Sequence, residues 1–210
     1  NASDIIPHGL TQEPDFAIFK NRSQDGDDWI VYHSSQGAAK RGKLNLPNTF
    51  DAQTSQFNDA GPTSSLFFIG TYDNINKLNN NYISYIWHDV PGLQKFGLYV
   101  GNNNSSAPNG PFVELGFRPA LVMIKRENGT GNWIVYDNKR DTFNPLNGRL
   151  YWNTTSGNVD NSGYNIDFLS NGFRITGGNN DNYNAASNYI YAAWAEAPTV
   201  NLYGGQSNAR

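Results

Sequence analysis

Short apolar runs separated by polar turns alternate along the whole chain. The runs at 14–20, 29–33, 64–69 and 82–87 are rich in aromatic and β-branched residues, and polar residues or glycines follow each of them. Such runs are typical of β-strands, and no 12-residue window has the 3.6-residue period of a long helix. The pattern predicts an all-β fold, which we interpret as an antiparallel β-sandwich of the jelly-roll or lectin-like kind.

The order of these runs is repeated in the second half of the chain. Five blocks recur in order at a spacing of about 105 residues: 14–20 as 119–125, 29–32 as 133–136, 43–46 as 149–152, 64–69 as 170–175 and 82–87 as 189–194. This self-similarity indicates two diverged tandem repeats. We place the first β repeat at 1–101 and the second at 102–210, either as separate sandwiches or packed as one body.

The junction and the loops carry turn chemistry. Segments 91–101 and 111–117 flank a polar loop, which predicts a hairpin that joins the repeats. Asp25-Gly26 tolerates positive φ and predicts a tight turn. The acidic stretch 25–28 also raises calcium as an alternative. It lacks the alternating oxygen ligands of a calcium loop, and its counterpart 128–132 has no carboxylate, so a turn is favoured.

Composition and charge narrow the range of partners. The net charge is −3 with no cluster of Lys and Arg, so nucleic acid is not expected as a partner. Cysteine is absent, which excludes disulfides and thiolate metal sites. The apolar runs are shorter than the roughly 20 residues of a spanning helix, so no membrane insertion is expected. The start lacks Met and a signal-peptide pattern, so we expect a piece of a longer chain or a processed product.

Histidine chemistry is sparse. His8, His33 and His88 lie far apart and have no metal-ligand spacing, and the second repeat has Asp137 and Ala195 in place of the last two. We therefore expect surface or edge-strand histidines, with no metal and no cofactor.

Carboxylates raise one enzymatic alternative. A pair of them at a suitable distance can hydrolyse a glycosidic bond, and Glu114, Asp137, Asp167 and Glu196 are the candidates. No motif singles out a pair of these residues, so the sequence predicts a protein that is not an enzyme and has no catalytic residue.

Sugar binding is better motivated by the residue types. Apolar sugar faces stack on aromatic rings, and Asn and Asp side chains pair with hydroxyls. The loops 72–81 and 177–188 hold equivalent places in the two repeats and combine Asn with Tyr. The alternative is that such loops only form turns. The candidate glycan or receptor contacts are Tyr72, Asn79, Asn80, Tyr151, Asn180, Asp181 and Tyr183.

The tryptophans are predicted to serve the core. Trp29, Trp87, Trp133 and Trp194 recur at matched positions, which favours a structural role. Trp152 aligns with Leu46 in this interpretation, so it is expected in the core as well. The tyrosines are then the candidates for exposed rings.

Several longer motifs resemble a known kind of domain. Residues 95–102, 110–120, 131–137 and 166–173, with the closing 207–210, are similar to a repeat domain of tail-fibre and other virion appendage proteins of marine bacteriophages, cyanophages especially. The resemblance covers about residues 8–210. It implies a structural or receptor-binding virion component, and it implies no particular catalytic or binding residue.

The resemblance also sets the functional expectations. We expect a bacteriophage tail-fibre or receptor-binding domain in the virion that is assembled in the host cytoplasm and contacts host cell-surface polysaccharide. Its other partners would be virion subunits, including copies of itself, with a homotrimer favoured. The alternative is a purely structural module, such as a capsid decoration or baseplate-associated protein. A polysaccharide depolymerase is the third possibility.

Overall fold

The computed structural model of the chain describes residues 3–104, 109–160, 163–177, 183–196, 199–200 and 206–207. Contacts divide the chain into a first unit, 1–88, and a second unit, 89–210. The sheets are antiparallel throughout, so the predicted all-β sandwich is confirmed. Within the described residues, none of the helices is long and apolar enough to cross a membrane.

Residues 3–88 of the first unit form seven strands, one helical turn and one short 3-10 turn. They are β1 Asp4–Pro7, β2 Phe16–Asn21, β3 Ile30–His33, the 3-10 turn Ser34–Gln36, β4 Lys40–Lys43, β5 Asp51–Ala52, β6 Leu66–Ile69, α1 Asp73–Asn76 and β7 Tyr82–Trp87. One sheet has the order β5-β4-β3-β2-β7, and β1 pairs with β6 in a second sheet.

The core of the first unit lies between these two sheets. Phe19 and Tyr32 from the larger sheet pack with Phe67 from the smaller one and with Phe57 from the connecting loop. Their ring centroids lie 5.0 to 5.9 Å apart, mostly edge to face. Such pairs contribute about 0.5–1.5 kcal/mol each beyond the area they bury.

The second unit contains the remaining strands. They are β8 Gln94–Val100, β9 Phe112–Glu114, β10 Pro119–Arg126, β11 Ile134–Asp137, β12 Gly148–Tyr151, β13 Val159–Asp160, β14 Ile166–Leu169, β15 Gly172–Ile175, β16 Asn188–Ala195, β17 Thr199–Val200 and β18 Gln206–Ser207. The large sheet has the order β13-β12-β11-β10-β16-β8, and its core faces the sheet β14-β15-β9. Strands β17 and β18 pair separately.

The two units have corresponding strand orders. In each large sheet the first two strands of the repeated blocks lie side by side, as β2-β3 and as β10-β11, and the last block forms β7 or β16 on the other side. The register also corresponds. Val31 and Val135 are counterparts in the repeated block, and Val31 pairs with Gly42 on β4 as Val135 pairs with Leu150 on β12. The correspondence lets each residue be compared with its counterpart, while the tandem-repeat origin itself stays a prediction.

The division between the units differs from the predicted boundary at 101/102. Strand β8 pairs along its length with β16 of the second unit, so contacts place it there. The hairpin predicted across 91–117 is wrong, because β8 and β9 belong to different sheets and pair with β16 and β15. Two apolar segments flanking a polar loop can enter different sheets of a sandwich as readily as they form a hairpin.

A bridging asparagine supports the same turn in both units. The amide N–H of Trp29 donates to Asn45 Oδ1 at 2.9 Å, and Asn45 Nδ2 donates to Asp28. The amide N–H of Trp133 likewise donates to Asn153 Oδ1 at 2.8 Å, and that side chain donates to Asn132. The acidic stretch 25–28 therefore serves a turn, in which Gly26 has a φ of 86°.

The tryptophans differ in their burial. Trp133 is buried, whereas Trp29, Trp87 and Trp194 are half-buried. Trp152 is 53% exposed, so its predicted place in the core is wrong.

The cause is the alignment of Trp152 with Leu46. The amide of Trp152 donates to the carbonyl of Trp133 as the amide of Leu44 donates to that of Trp29. Trp152 therefore corresponds to Leu44, which is buried in the first unit.

His33 is buried, so the prediction of a surface or edge position is wrong for it. Its Nδ1 accepts the amide N–H of Ser35 at the start of the 3-10 turn. At the corresponding position Asp137 Oδ1 accepts the amide N–H of Lys139. Both side chains therefore cap the turn that follows the strand, which explains how His and Asp exchange here. His8 and His88 are half-buried.

Two matched lysines hold the turns after β2 and β10. Lys20 Nζ donates to the carbonyl of Asp27 at 2.6 Å, and Lys125 Nζ donates to the carbonyl of Arg126 at 2.8 Å. Lys125 has no exposed surface. Burial, reinforced by the charge of Arg126, lowers the pKa of Lys125 to about 8.

The depressed pKa of Lys125 predicts a pH dependence of stability. The unfolded chain binds its lysine proton up to about pH 10.5, whereas the folded chain releases it above about pH 8. The free energy of unfolding should therefore gain about 2 kcal/mol from this group between pH 7 and 9.5. Urea titrations should show this gain in the wild type and lose it in Lys125→Met. Lys20→Met controls for the loss of a lysine-to-carbonyl hydrogen bond, and an unchanged profile in Lys125→Met would contradict the assignment.

Candidate functional site

The predicted contact Tyr72 lies against a buried arginine. The guanidinium carbon of Arg41 is 4.3 Å from the centre of the Tyr72 ring. Arg41 itself is 4% exposed and bonds to Asp51 and to Gln56. Tyr72 is half-buried, so part of its ring serves this cluster and part remains accessible.

Asn79 and Asn80 lie in a turn tied to the sheet. Asn79 is exposed with a φ of 65°, a conformation that Asn tolerates better than most residues. Tyr82 on β7 anchors the loop, because its hydroxyl accepts the amide N–H of Lys77. Asn79 is thus accessible and also forms the turn. Asn180 and Asp181 lie outside the described residues.

Tyr183 is fully buried, so the prediction that its ring is exposed is wrong. Its hydroxyl donates to the carbonyl of Gly163, and its ring stacks on Tyr164 with centroids 5.4 Å apart. Burial raises the pKa of the Tyr183 hydroxyl. Ile75, in the loop 72–81 of the first unit, is also in the core. Tyr183 therefore fills an apolar position.

Tyr151 is half-buried at the end of β12. Its hydroxyl accepts a hydrogen bond from Arg149 Nε at 2.8 Å. Arg149 occupies the register position of Arg41, so Tyr72 and Tyr151 belong to corresponding arginine clusters. Sequence reasoning found these tyrosines but missed the arginines, because their burial is not visible in the sequence.

The carboxylates proposed for hydrolysis are dispersed. Glu114 is exposed, and Glu196 pairs with Lys139 at 2.5 Å. Asp137 is partly buried, and hydrogen bonds from Arg140 outweigh that burial and lower its pKa. In the part of the chain that the structure describes, no three His, Asp or Glu side chains form a group that could hold a metal ion.

An exposed aromatic ring with charged neighbours lies on the outer face of the small sheet in the second unit. Phe112 on β9 pairs with Arg174 on β15, and Arg174 pairs with Asp167 on β14. The three side chains therefore point to the same side of the sheet. Phe112 is 39% exposed, and the other two are half-buried. We call these three residues the outer row.

The two charged side chains of the outer row face each other across the strand pair and interact electrostatically. The guanidinium carbon of Arg174 is 5.8 Å from the centre of the Phe112 ring. Within the described segments, the side chains of Arg174 and Asp167 make no hydrogen bond. Partial burial raises the pKa of Asp167, and the charge of Arg174 opposes that shift. The row thus offers an apolar ring face beside one donor group and one acceptor group.

The first unit lacks this arrangement at the corresponding place. The repeated block aligns Phe68 with Arg174, and Phe68 pairs with Ile5 as Arg174 pairs with Phe112. Ile5 is 51% exposed, so the face is accessible in both units but carries charge in the second alone. The difference separates a candidate binding feature of the second unit from the strand arrangement that corresponds in both units.

Comparisons with known proteins give one match. Residues 1–198 match a sequence family described as a domain of unknown function, DUF7483. Neither the curated proteins nor the solved structures contain a match.

Burial of Tyr183 predicts a stability effect. Tyr183→Ala should lower the free energy of unfolding by about 3–5 kcal/mol, because it empties a large core position. Tyr183→Phe keeps the ring and should cost about 1 kcal/mol for the lost hydroxyl bond. Chemical denaturation measures both values. A Tyr183→Ala variant as stable as the wild type would show that the ring is not buried.

Proposed function

The chain belongs to the DUF7483 family, whose function is unknown, and we propose that it is a bacteriophage virion appendage domain that contacts a glycan on the host surface. The observation that carries the proposal is the outer row. A sugar ring can stack its apolar face on Phe112 while its hydroxyls pair with Arg174 and Asp167.

The charge of the outer row indicates the kind of glycan. Arg174 contributes one positive charge and Asp167 one negative charge, so their charges cancel. A carboxylated or sulfated sugar that approached Arg174 would also meet Asp167. The row therefore favours neutral sugars, and binding there should depend weakly on salt.

The rigidity of the site favours binding. All three side chains stand on strands whose other faces pack into the core through Val113, Phe168 and Phe173. Few groups have to be ordered when a ligand binds, so little conformational entropy is lost.

The virion location rests on the motif resemblance and on features that suit assembly. Strand β8 lies at one edge of the large sheet and exposes Leu98 and Val100, at 41% and 59%. Exposed apolar residues at a sheet edge are typical of surfaces that contact another chain. They support a homo-oligomer, for which a trimer is the proposed form.

The same edge favours a second candidate function. A structural virion module, such as a capsid decoration or baseplate-associated protein, would use β8 to contact other subunits and would need no sugar. The outer row distinguishes the two functions. A glycan-binding domain would bind a sugar there, whereas a purely structural module would bind none.

Replacement of the outer row tests glycan binding. Phe112→Ala should weaken binding of the chain to immobilised neutral host polysaccharide by about tenfold, which corresponds to about 1.4 kcal/mol of lost stacking. Arg174→Gln should weaken it as well, because the charged donors are lost. Ile5→Ala, at the corresponding place in the first unit, and Phe143→Ala, at a ring that is 84% exposed, are the controls.

Biolayer interferometry measures these affinities, and urea titration checks that each variant is folded. Wild-type binding that Phe112→Ala leaves unchanged would contradict the outer row as the contact. No binding of the wild type to any host polysaccharide would favour the structural module.

A further inference from the structure

The outer edge of β7 in the first unit is open. β7 is the last strand in the order β5-β4-β3-β2-β7, and among the described residues it pairs with β2 alone. In the second unit the corresponding strand β16 is flanked on both sides, by β10 and by β8. The place that β8 fills in the second unit is therefore unfilled in the described part of the first.

Alternate residues of β7 direct their backbone groups to this open edge. The amide N–H of Arg22, which follows β2, donates to the carbonyl of Asn81, which precedes β7. In an antiparallel pair every second residue bonds to the same neighbour. The backbone N–H and C=O groups of Tyr82, Ser84 and Ile86 therefore point away from β2.

The second unit shows that an edge of this kind accepts a strand. The amide N–H of Ala195 at the end of β16 donates to the carbonyl of Leu93, and β16 pairs with β8 along the whole length of β8. Burial changes accordingly. Ala192, the counterpart of Tyr85, is 1% exposed, whereas Tyr85 is 44% exposed. Ser84 beside it is exposed as well, so the middle of β7 is accessible.

β7 has none of the features that usually protect a sheet edge from another chain. Charged side chains, proline and β-bulges are the common means of protection. The strand Tyr82–Trp87 contains no charged residue and no proline, and its register with β2 has no shift. The edge of β8 is partly protected by comparison, because the N–H of Phe96 donates to Asp89 Oδ1 and Gln94 forms a bridge with Val90.

We propose that β7 pairs antiparallel with β7 of a second copy of the chain, so that two first units share one continuous sheet. A twofold axis at Ser84 places this residue opposite Ser84 of the second copy and places Tyr82 opposite its Ile86. In this register all three residues with outward backbone groups form hydrogen-bonded pairs. The same surface is used by both copies, as in the commonest dimers of identical chains.

The side chains of β7 suit this register. Ile83 lies opposite Tyr85 of the second copy, so a β-branched residue meets an aromatic one on each side of the axis. Tyr85 stacks on Trp87 with ring centroids 6.2 Å apart, which orders its ring before the copies meet. Because β7 carries no charge, two copies meet without repulsion. A foreign strand would find no charged group on β7 to recognise, which favours a second copy.

The pairing goes beyond the proposed function, because it names a contact between copies that the β8 edge does not supply. The two strands lie at the edges of different sheets, so either contact can form without the other. Pairing through β7 alone gives a dimer. Pairing through β7 of trimers that are held together at β8 gives a hexamer.

The experiment measures the mass of the full chain by size-exclusion chromatography with light scattering. The wild type should contain two or six copies. Ser84→Lys places like charges opposite each other at the axis and should halve the number of copies, and Ser84→Glu should do the same. An equal mixture of these two variants should regain the wild-type number, because opposite charges then face each other. Thr155→Lys adds charge at an exposed position of the second unit and should leave the number unchanged.

Hydrogen exchange tests the same contact without a substitution. The amides of Ser84 and Ile86 should exchange at least tenfold more slowly in the associated wild type than after dilution has dissociated it, because pairing covers their N–H groups. Equal exchange rates in the two states would overturn the proposal, whether or not the variants fold.

The numbers of copies separate this contact from the trimer. A wild type of one or three copies overturns the pairing through β7, and three copies would leave the trimer at β8 standing. A folded Ser84→Lys variant that keeps the wild-type number of copies also overturns the pairing. So does a mixture of the two charged variants that stays at half that number. Urea titration checks that each variant is folded.

Discussion

Burial of aromatic rings between two antiparallel sheets is the interaction on which each unit depends. In the second unit the Phe173 ring contacts Tyr99 and Tyr191 with centroids 6.0 and 5.7 Å apart. In the first unit Phe19, Phe57 and Phe67 contact one another with centroids 5.0 to 5.9 Å apart. Large rings bury much apolar area per residue, which lets a chain with 38% hydrophobic residues form two cores. The outward positions of the small sheets are then free to vary.

The two units combine corresponding scaffolds with different polar side chains. Three kinds of residue recur: the asparagine that bridges the turn as Asn45 and Asn153, the lysine that holds it as Lys20 and Lys125, and the arginine on β4 or β12 as Arg41 and Arg149. These groups satisfy buried donors and acceptors, so their exchange would destabilise the fold. By contrast, Asp51 corresponds to Val159 and Phe68 corresponds to Arg174. The first difference gives Arg149 an apolar cross-strand neighbour where Arg41 has a carboxylate, and the second places a charged side chain on the outer face of the small sheet.

The sequence predicted the strands because apolar alternation and turn residues are local signals. Most strands of the repeated blocks lie within two residues of their predicted bounds, and β4, predicted at 43–46, begins three residues earlier. The short strands β1, β5, β13 and β14 were not predicted. Register is a long-range property, and the failures depend on it. Trp152 corresponds to Leu44 and not to Leu46, two residues away. Tyr183 lies in the core although it belongs to a polar loop. The outer row joins residues 112, 167 and 174 from three strands, so only strand pairing reveals it.

The central claim is that the outer row binds a neutral glycan on a preformed sheet surface. The most direct measurement is a two-dimensional NMR titration of the isotope-labelled chain with neutral host oligosaccharides. The account predicts saturable shifts centred on Phe112, Asp167 and Arg174, with little change at Ile5 and Phe68. Saturable shifts confined to the loop 72–81 or to the β8 edge would contradict it.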